Sequence, residues 1–298
     1  MSTFAGKTAL ISGGAEGIGF AIAKAMGQQG MNVVLGDIDA GQLAKAEETL
    51  TQEGIEVLTV LMDVTDPAQW QQFGAAALER FGKVHMLVNN AGVGGTPGPI
   101  EKTDVKDWAW VLDVNLMGVV HGAHAIVPLI REHGEGGWMI NVASMAGMTG
   151  IPYAGAYTAT KMAVVGMSES WRLELAPANI EVSVLCPAFV RTRINLSTRN
   201  KQSSYKSDNA GSESKETSAQ NSAMAKHMSD VVNAGLAPDL VGQRVVEAVK
   251  AKELYIFTHP NYRSVPQNRF KAMDEAFARA EGSELLADVL HQEMDRFI

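Results

Sequence analysis

The stretch Lys7-Thr8-Ala9-Leu10-Ile11-Ser12-Gly13-Gly14-Ala15-Glu16-Gly17-Ile18-Gly19-Phe20-Ala21-Ile22-Ala23-Lys24-Ala25-Met26 decides the fold of this 298-residue chain. It opens on an apolar run of strand length and closes on an apolar, alanine-rich run of helical character. Between them Gly13, Gly17 and Gly19 let the backbone turn tightly and leave room for another group to approach. A strand that enters a helix through such a turn offers unpaired N–H groups and the positive end of a helix dipole to an anion. That is the context a dinucleotide fingerprint requires. The spacing here is Gly13-x3-Gly17-x-Gly19, not the commoner G-x-G-x-x-G, and a glycine turn alone can be merely structural.

The next apolar run, Met31 to Gly36, reads as a second strand and ends at Asp37. A carboxylate about twenty residues past the turn can accept from the hydroxyls of an adenosine ribose. It would also repel the extra phosphate of NADP. No Arg or Lys follows Asp37 closely, and Glu16 stands inside the turn, so both acids favour NAD. Strands and helices alternate from residue 7 to residue 258, with seven strands expected near 8–12, 32–37, 56–62, 84–89, 138–144, 180–186 and 254–258. The pattern predicts an α/β, Rossmann-like doubly wound parallel sheet with helices on both faces. Ligands of such sheets bind just beyond the carboxyl ends of strands. Asp63 ends the alternating run Glu56–Leu61, and Asn89 ends Val84–Val88.

Three residues carry the chemistry. Tyr157 and Lys161 are four apart and so share one helix face. Ser144, thirteen residues before Tyr157, ends the apolar run Trp138–Ala143. A free tyrosine, with a pKa of about 10, is a poor base near neutrality. A neighbouring ammonium favours the phenolate, which could take a proton from an alcohol or return it to a ketone. Ser144 could hydrogen-bond the same oxygen and steady the developing charge.

Together these residues resemble the short-chain dehydrogenase/reductase family, in its subgroup of roughly 250-residue enzymes. The motifs are Ser12–Gly19, Asp63-Val64, Asn89-Asn90-Ala91-Gly92, Asn115, Ser144, Tyr157 with Lys161, and Cys186–Thr192, in order over about residues 5 to 192. Ser12 stands where Thr is usual and Ala188 where Gly is usual. The resemblance implies a catalytic set of Asn115, Ser144, Tyr157 and Lys161. Tyr157 would be the acid/base, lowered in pKa by Lys161, which would also hold the nicotinamide ribose; Asn115 would hold a relay water. A mid-helix Asn usually faces solvent, so that role rests on the resemblance. The cofactor, NAD, would lie against Gly13, Gly17, Ile18, Gly19, Asp37, Asp63, Val64, Asn90 and Gly92. Tyr157, Lys161, Pro187, Val190 and Thr192 would complete its site. Asp63 and Val64 would flank the adenine, Asn90 would approach the adenosine ribose, and Thr192 would reach the carboxamide. The implied reaction is hydride transfer between NAD and a secondary alcohol or ketone. A 3-oxoacyl thioester reductase and a non-catalytic NAD-binding sensor are the rivals. A homodimer or homotetramer is implied by resemblance alone, through helices near 104–131 and 157–176.

Composition bounds the rest. A net charge of −8 argues against nucleic acid and anionic membranes as partners. The apolar runs read as broken short of a membrane span, and the early first strand leaves no room for a signal peptide. Cys186, the single cysteine, has no internal disulfide partner and reads as a buried strand residue, as expected in a reducing cytoplasm. His121 and His124 have metal-like spacing but no evident third ligand, so no metal is expected. Met145, Met148, Tyr153 and Phe189 would line an apolar pocket beside Ser144, suited to a bulky aromatic or alicyclic substrate.

The chain is expected to be one domain with two additions. A polar insertion, about 193–237, is a candidate lid with a mobile middle. Within it Met224, His227, Met228, Val231 and Val232 recur at helical spacing, either to close on substrate or to pack on the body. A helical tail follows at about 259–298, with an apolar stripe of Phe270, Met273, Phe277, Leu285, Leu286, Val289 and Leu290. It is expected to pack on its own body rather than form a subunit arm. The run Leu254–Pro260 with this tail is similar to the aryl-ether Cα-dehydrogenase branch of the family.

Overall fold

The computed structural model describes residues 3–206, 226, 229–290 and 292. Seven strands form one parallel sheet: β1 (Thr8–Ser12), β2 (Asn32–Asp37), β3 (Val57–Leu61), β4 (Met86–Asn89), β5 (Gly137–Val142), β6 (Ile180–Cys186) and β7 (Tyr255–Phe257). Their order is β3-β2-β1-β4-β5-β6-β7. The chain therefore winds outward from β1 to β3, then returns to the other side of β1 with β4. The crevice where the winding reverses opens at the carboxyl ends of β1 and β4.

Both sheet faces are buried, which explains why most strands read as continuous apolar runs. Side chains alternate between faces. Ala9, Ile11, Val33, Leu35, Met86 and Val88 join one core with Ile22 and Met26 of α1 (Gly17–Gly27) and Val241 and Val245 of α7 (Pro238–Lys250). Leu10, Val34, Leu87 and Met139 join the other. Its helical partners include Trp70 and Phe73 of α3 (Pro67–Phe81) and Ile126 and Ile130 of α5 (Gly118–Glu132). α2 (Ala40–Gln52) and α6 (Gly155–Leu175) complete the layers. Edge strand β3 is only half-buried, in keeping with its alternating sequence. At the α1–α7 crossing, a Cβ on Gly242 would sit 2.3 Å from the Ala21 carbonyl oxygen, so only glycine permits this approach.

The long helix expected over 104–131 is three pieces. α4 (Val105–Leu112) passes through a π-turn, Asp113–Met117, into α5. The wider turn rotates Asn115 inward, where it is fully buried rather than facing solvent. The same stretch, Val105–Glu132, is long and apolar enough to cross a bilayer, where the sequence suggested none. Pairing α4 with α5 makes one continuous apolar span, and Trp110, Val111, Val119, Ile126 and Ile130 on it are buried in the protein.

Residues 193–206 of the insertion include two short 3-10 segments, Ile194–Asn200 and Ser203–Tyr205. Met224, His227 and Met228 lie outside the described residues, whereas Val232 is buried and Val231 partly so. The chain divides into two compact units, Met1–Thr258 and His259–Ile298. In the second, α8 (Ser264–Glu281) carries Phe270, Met273 and Phe277 along one side, all exposed.

Candidate active site

Ser144 follows β5 and caps the short turn Met145–Gly147, its Oγ accepting from Ala146 N at 3.1 Å and facing Pro187 O at 3.4 Å. Tyr157 lies in the first turn of α6, and Ser144 hydrogen-bonds its hydroxyl. Lys161, one turn on, is 3% exposed. Its Nζ donates to Val142 O at 2.8 Å and lies 5.5 Å from the centre of the Tyr157 ring. A Cβ on Gly92 would sit 3.6 Å from Nζ, so the loop after β4 passes close against the ammonium. The three side chains converge as their spacing predicted. Their electrostatics differ from expectation. Burial pushes the Tyr157 phenol above its ordinary value, with the Ser144 hydrogen bond pulling it back. Burial brings Lys161 down to about 8. Desolvation thus takes part of the charge with which Lys161 would favour the phenolate. Cys186, fully buried, is pushed up to about 12 by burial and is no thiolate.

Asn115 grips the backbone of the loop after β4 from both sides. Its Oδ1 accepts from Val93 N at 2.8 Å and its Nδ2 donates to Val93 O at 2.9 Å. Its side chain is a clamp on the Gly92 segment that faces Lys161.

The glycine turn is built around Asn90 and Ser12. Asn90 Nδ2 donates to Ser12 O at 3.0 Å and Gly13 O at 2.8 Å, while Ser12 Oγ accepts from Asn90 N and Ala91 N. The Asn90 Nδ2 is thereby committed to holding the turn. Gly13 and Gly17 both take φ of +61°, and a Cβ on Gly19 would meet Gly13 O at 2.2 Å. Asp37 ends β2 beside the turn, accepting from Ala15 N at 3.2 Å and Asp39 N at 3.1 Å, and burial raises its pKa. Glu16 is not isolated: Arg193, at 3.1 Å, and Arg199 both pair with it. These guanidiniums arrive from 177 and 183 residues away in sequence, and no local pattern announces them. They offset the negative charge that the turn carries by itself.

Asp63 and Val64 close the far side. Asp63 Oδ1 accepts from Thr65 N and Thr65 Oγ1, and Val64 O accepts from Trp70 Nε1 at 3.0 Å. Pro187 is buried, Val190 bridges to Leu236, and the Thr192 methyl would lie 3.1 Å from a Cβ on Gly17. The cradle at the β1–β4 crevice therefore has glycine approaches, helix N-terminal amides, a partly buried carboxylate at the end of β2 and an ammonium on α6. These residues fit a dinucleotide.

A cleft of about 370 Å³ lies at the α6 N-terminus, lined by Pro99, Ile100, Trp108, Ile151 and Tyr153 among others. A smaller hollow of about 10 Å³ shares Trp108 and Tyr153 with it and reaches Tyr157. Of the five residues expected at the substrate pocket, Ser144, Met145, Met148, Tyr153 and Phe189, Tyr153 lines this cleft. Met145 and Met148 are buried, and Phe189 is at the surface. Trp108, which the sequence reading missed, is oriented by its Nε1 donating to Thr103 Oγ1 at 2.9 Å. Tyr153 holds a left-handed backbone, φ +63°, unusual for a bulky residue, and its carbonyl accepts from Gly98 N at 2.8 Å.

His121 and His124 do not act together: His121 Nδ1 meets Val64 O at 3.3 Å, and His124 is exposed. Among the described residues the metal-like grouping is His85, His133 and Glu135, at the opposite end of β4. Its ring nitrogens are occupied: His85 Nδ1 accepts from Thr8 N, and His133 binds Val84 O and Glu135 N. Lys7 and Lys83 also pair with Glu135, so two ammonium groups already stand where a cation would.

The fold and site define a nicotinamide-dependent oxidoreductase that acts on a small-molecule alcohol or ketone. Residues 7–203 match the model of the short chain dehydrogenases, and the chain belongs to that family. It is 32% identical over 273 residues to a "CLA biosynthesis dehydrogenase/reductase" of Lactiplantibacillus plantarum, covering 91% of this chain and 94% of that protein. A "C alpha-dehydrogenase" of Sphingobium sp. strain SYK-6 is 31% identical over 281 residues, covering 94% of this chain and 90% of that protein. This accords with the similarity seen in the C-terminal region. Among solved structures, a Burkholderia phymatum short-chain dehydrogenase in complex with NAD superposes with a TM-score of 0.87. Its identity is 36%, over 93% of this chain and 97% of that one.

Proposed function

We propose that this chain is an NAD-dependent dehydrogenase for a bulky secondary alcohol carrying an aromatic or alicyclic group, working reversibly on the matching ketone. The observation that carries the reading is the convergence of Ser144, Tyr157 and Lys161 beside an aromatic-walled cleft. The nicotinamide, when bound, supplies the hydride acceptor. The protein handles the proton. Tyr157 Oη, whose ionised form burial disfavours and the Ser144 hydrogen bond and the neighbouring Lys161 ammonium favour, takes the substrate hydroxyl proton, and Ser144 Oγ donates to the same oxygen. Lys161 keeps two N–H groups beyond the Val142 bond, for a ribose and for a relay water. Asn115 keeps the Gly92 loop in register against that ammonium.

Preference for NAD rests on Asp37, because Arg193 and Arg199 offset Glu16. Its partly buried carboxylate, with two backbone donors, has room to accept from ribose hydroxyls and none to welcome a phosphate. The flat walls of Trp108 and Tyr153, with Ile100 and Ile151, support the bulky substrate. A homodimer or homotetramer in a reducing cytoplasm is part of the proposal. The exposed Leu173 on α6 and the reduced, buried Cys186 support it.

The test is cofactor reduction followed at 340 nm with benzylic, aryl-ether and alicyclic secondary alcohols, NAD and NADP in parallel. Turnover with NAD, lost in Tyr157→Phe while calorimetry shows NAD still bound, is expected. Substantial turnover in that variant would sink the mechanism.

A further inference from the structure

We propose that Lys201 is a positioning residue for the substrate, acting through Asp107 on residues 94–96, which wall the approach to Tyr157. The proposal rests on the reading of Tyr157 as the acid/base and of the cleft beside it as the substrate site.

Asp107 stands on α4, one residue before Trp108 of the cleft wall, and is 4% exposed. A carboxylate with so little access to water needs a paired cation and donors for its lone pairs. Lys201 brings the cation from 94 residues away in sequence. Its Nζ lies 2.7 Å from Asp107 Oδ1 and 5.2 Å from the centre of the Trp110 ring. The loop after β4 brings the donors. Thr96 N donates to Asp107 Oδ2 at 2.7 Å, and Thr96 Oγ1 to Oδ1 at 3.3 Å. Gly95 takes φ of +69° and packs so closely that a Cβ there would lie 3.2 Å from Oδ2 and 2.7 Å from the Val111 side chain. One buried carboxylate thus joins Lys201 to the loop.

The small hollow that reaches Tyr157 is lined by Gly94, Gly95, Thr96, Asp107 and Trp108, together with residues 153–157. At about 10 Å³ it has little slack, so small shifts of this wall change how a substrate hydroxyl meets Tyr157. Lys201 is itself fixed from both sides. Arg193 and Arg199 tie the start of residues 193–206 to Glu16 at the glycine turn. Gln202 Nε2 donates to Asp63 Oδ2, and Tyr205 Oη donates to Asp113 Oδ2 at 2.7 Å. Ser197 Oγ accepts from Gly94 N at 3.0 Å. Residues 193–206 therefore form a strap that grips the loop twice, at Gly94 directly and at Thr96 through Asp107.

The experiment follows turnover of α-methylbenzyl alcohol with NAD, and hydrogen exchange over residues 93–99. The proteins are wild type, Lys201→Met, Lys201→Arg and the double variant Lys201→Met with Asp107→Asn. Met keeps the length and removes the charge. Asn keeps the shape of Asp107, still accepts from Thr96 and needs no counter-ion. Calorimetry of NAD binding and a thermal transition accompany each protein. In Lys201→Met the KM for the alcohol is expected to rise about tenfold, with kcat within about twofold and NAD affinity held. Exchange over 93–99 is expected to quicken. Lys201→Arg and the double variant are expected to return both readings toward wild type. A lower thermal midpoint with KM unchanged would make the pair a structural brace and overturn the proposal. So would a double variant no better than Lys201→Met, or one that folds where Lys201→Met does not and still shows the raised KM. Loss of NAD affinity as large as the loss in KM would spread the effect over the whole site and overturn it too. A wild type that leaves the alcohol unreacted, with the exchange pattern as expected, supports the link from Lys201 to the loop and faults the assigned reaction instead.

Discussion

Replacing Asn115 with leucine tests whether the π-turn exists to clamp the loop after β4. Leucine matches asparagine in size, so no cavity opens and no charge is added. What is lost is the pair of bonds to Val93, at 2.8 and 2.9 Å. Val93 is 7% exposed, so its N–H and C=O have little access to water as a replacement. A buried group left unsatisfied costs about 1–3 kcal/mol. With partial relaxation of the loop, a loss of about 3 kcal/mol for the two is expected. Urea denaturation followed by tryptophan fluorescence reads this out. With a slope of about 3 kcal/mol/M, the midpoint falls by about 1 M. Because the same loop presses Gly92 toward Lys161 Nζ, cofactor affinity falls as well. A midpoint within about 0.2 M of wild type, with activity lost, would refute the clamp and leave a purely chemical role for Asn115.

Other perturbations have equally definite signs. Gly19→Ala places a methyl 2.2 Å from Gly13 O. It is expected to cost about 1–3 kcal/mol of stability and most of the NAD affinity, by denaturation and calorimetry. Lys161 has its folded pKa lowered to about 8 from 10.5, so between those values the unfolded chain holds more protons. The burial penalty is therefore present below about pH 8 and is relieved as pH rises toward 10.5. The stability advantage of Lys161→Met over wild type should shrink across that window; an advantage constant with pH would contradict the assigned burial. Tyr153→Gly relieves a left-handed backbone and should hold or raise the thermal midpoint, while KM for an aromatic alcohol rises severalfold. Asp37→Ala should weaken NAD and relax its discrimination against NADP, read as the ratio of kcat/KM for the two; an unchanged ratio would remove Asp37 from cofactor choice.

Much of the site was legible because its parts sit at strand ends or on one helix face. Gly13, Gly17 and Gly19 announce a tight turn from chemistry alone, and the Tyr157–Lys161 spacing sets a shared face. Residues whose roles depend on turning or on distant partners were not legible. Asn115 faces inward because a π-turn rotates it, and nothing in Val114–Leu116 separates that from an ordinary helix. The bonds from Asn90 to Ser12 and Gly13, which hold the turn across 78 and 77 residues, were not legible either. Trp108, which belongs to no motif, lines the cleft. Met145 and Met148, close to Ser144 in sequence, are buried at the turn that Ser144 caps.

By itself the sequence determined the parallel sheet, its strand ends, the glycine turn and the Ser144, Tyr157 and Lys161 set. Each follows from local periodicity, or from residue types with few alternative uses. Only the tertiary structure decided the charge at Glu16, the wall of the cleft and the reach of residues 193–206 to Asp63. Those depend on pairs separated by 45 to 183 residues. Such contacts are set by how helices and loops cross the carboxyl edge of the sheet, and no spacing within a single segment encodes them.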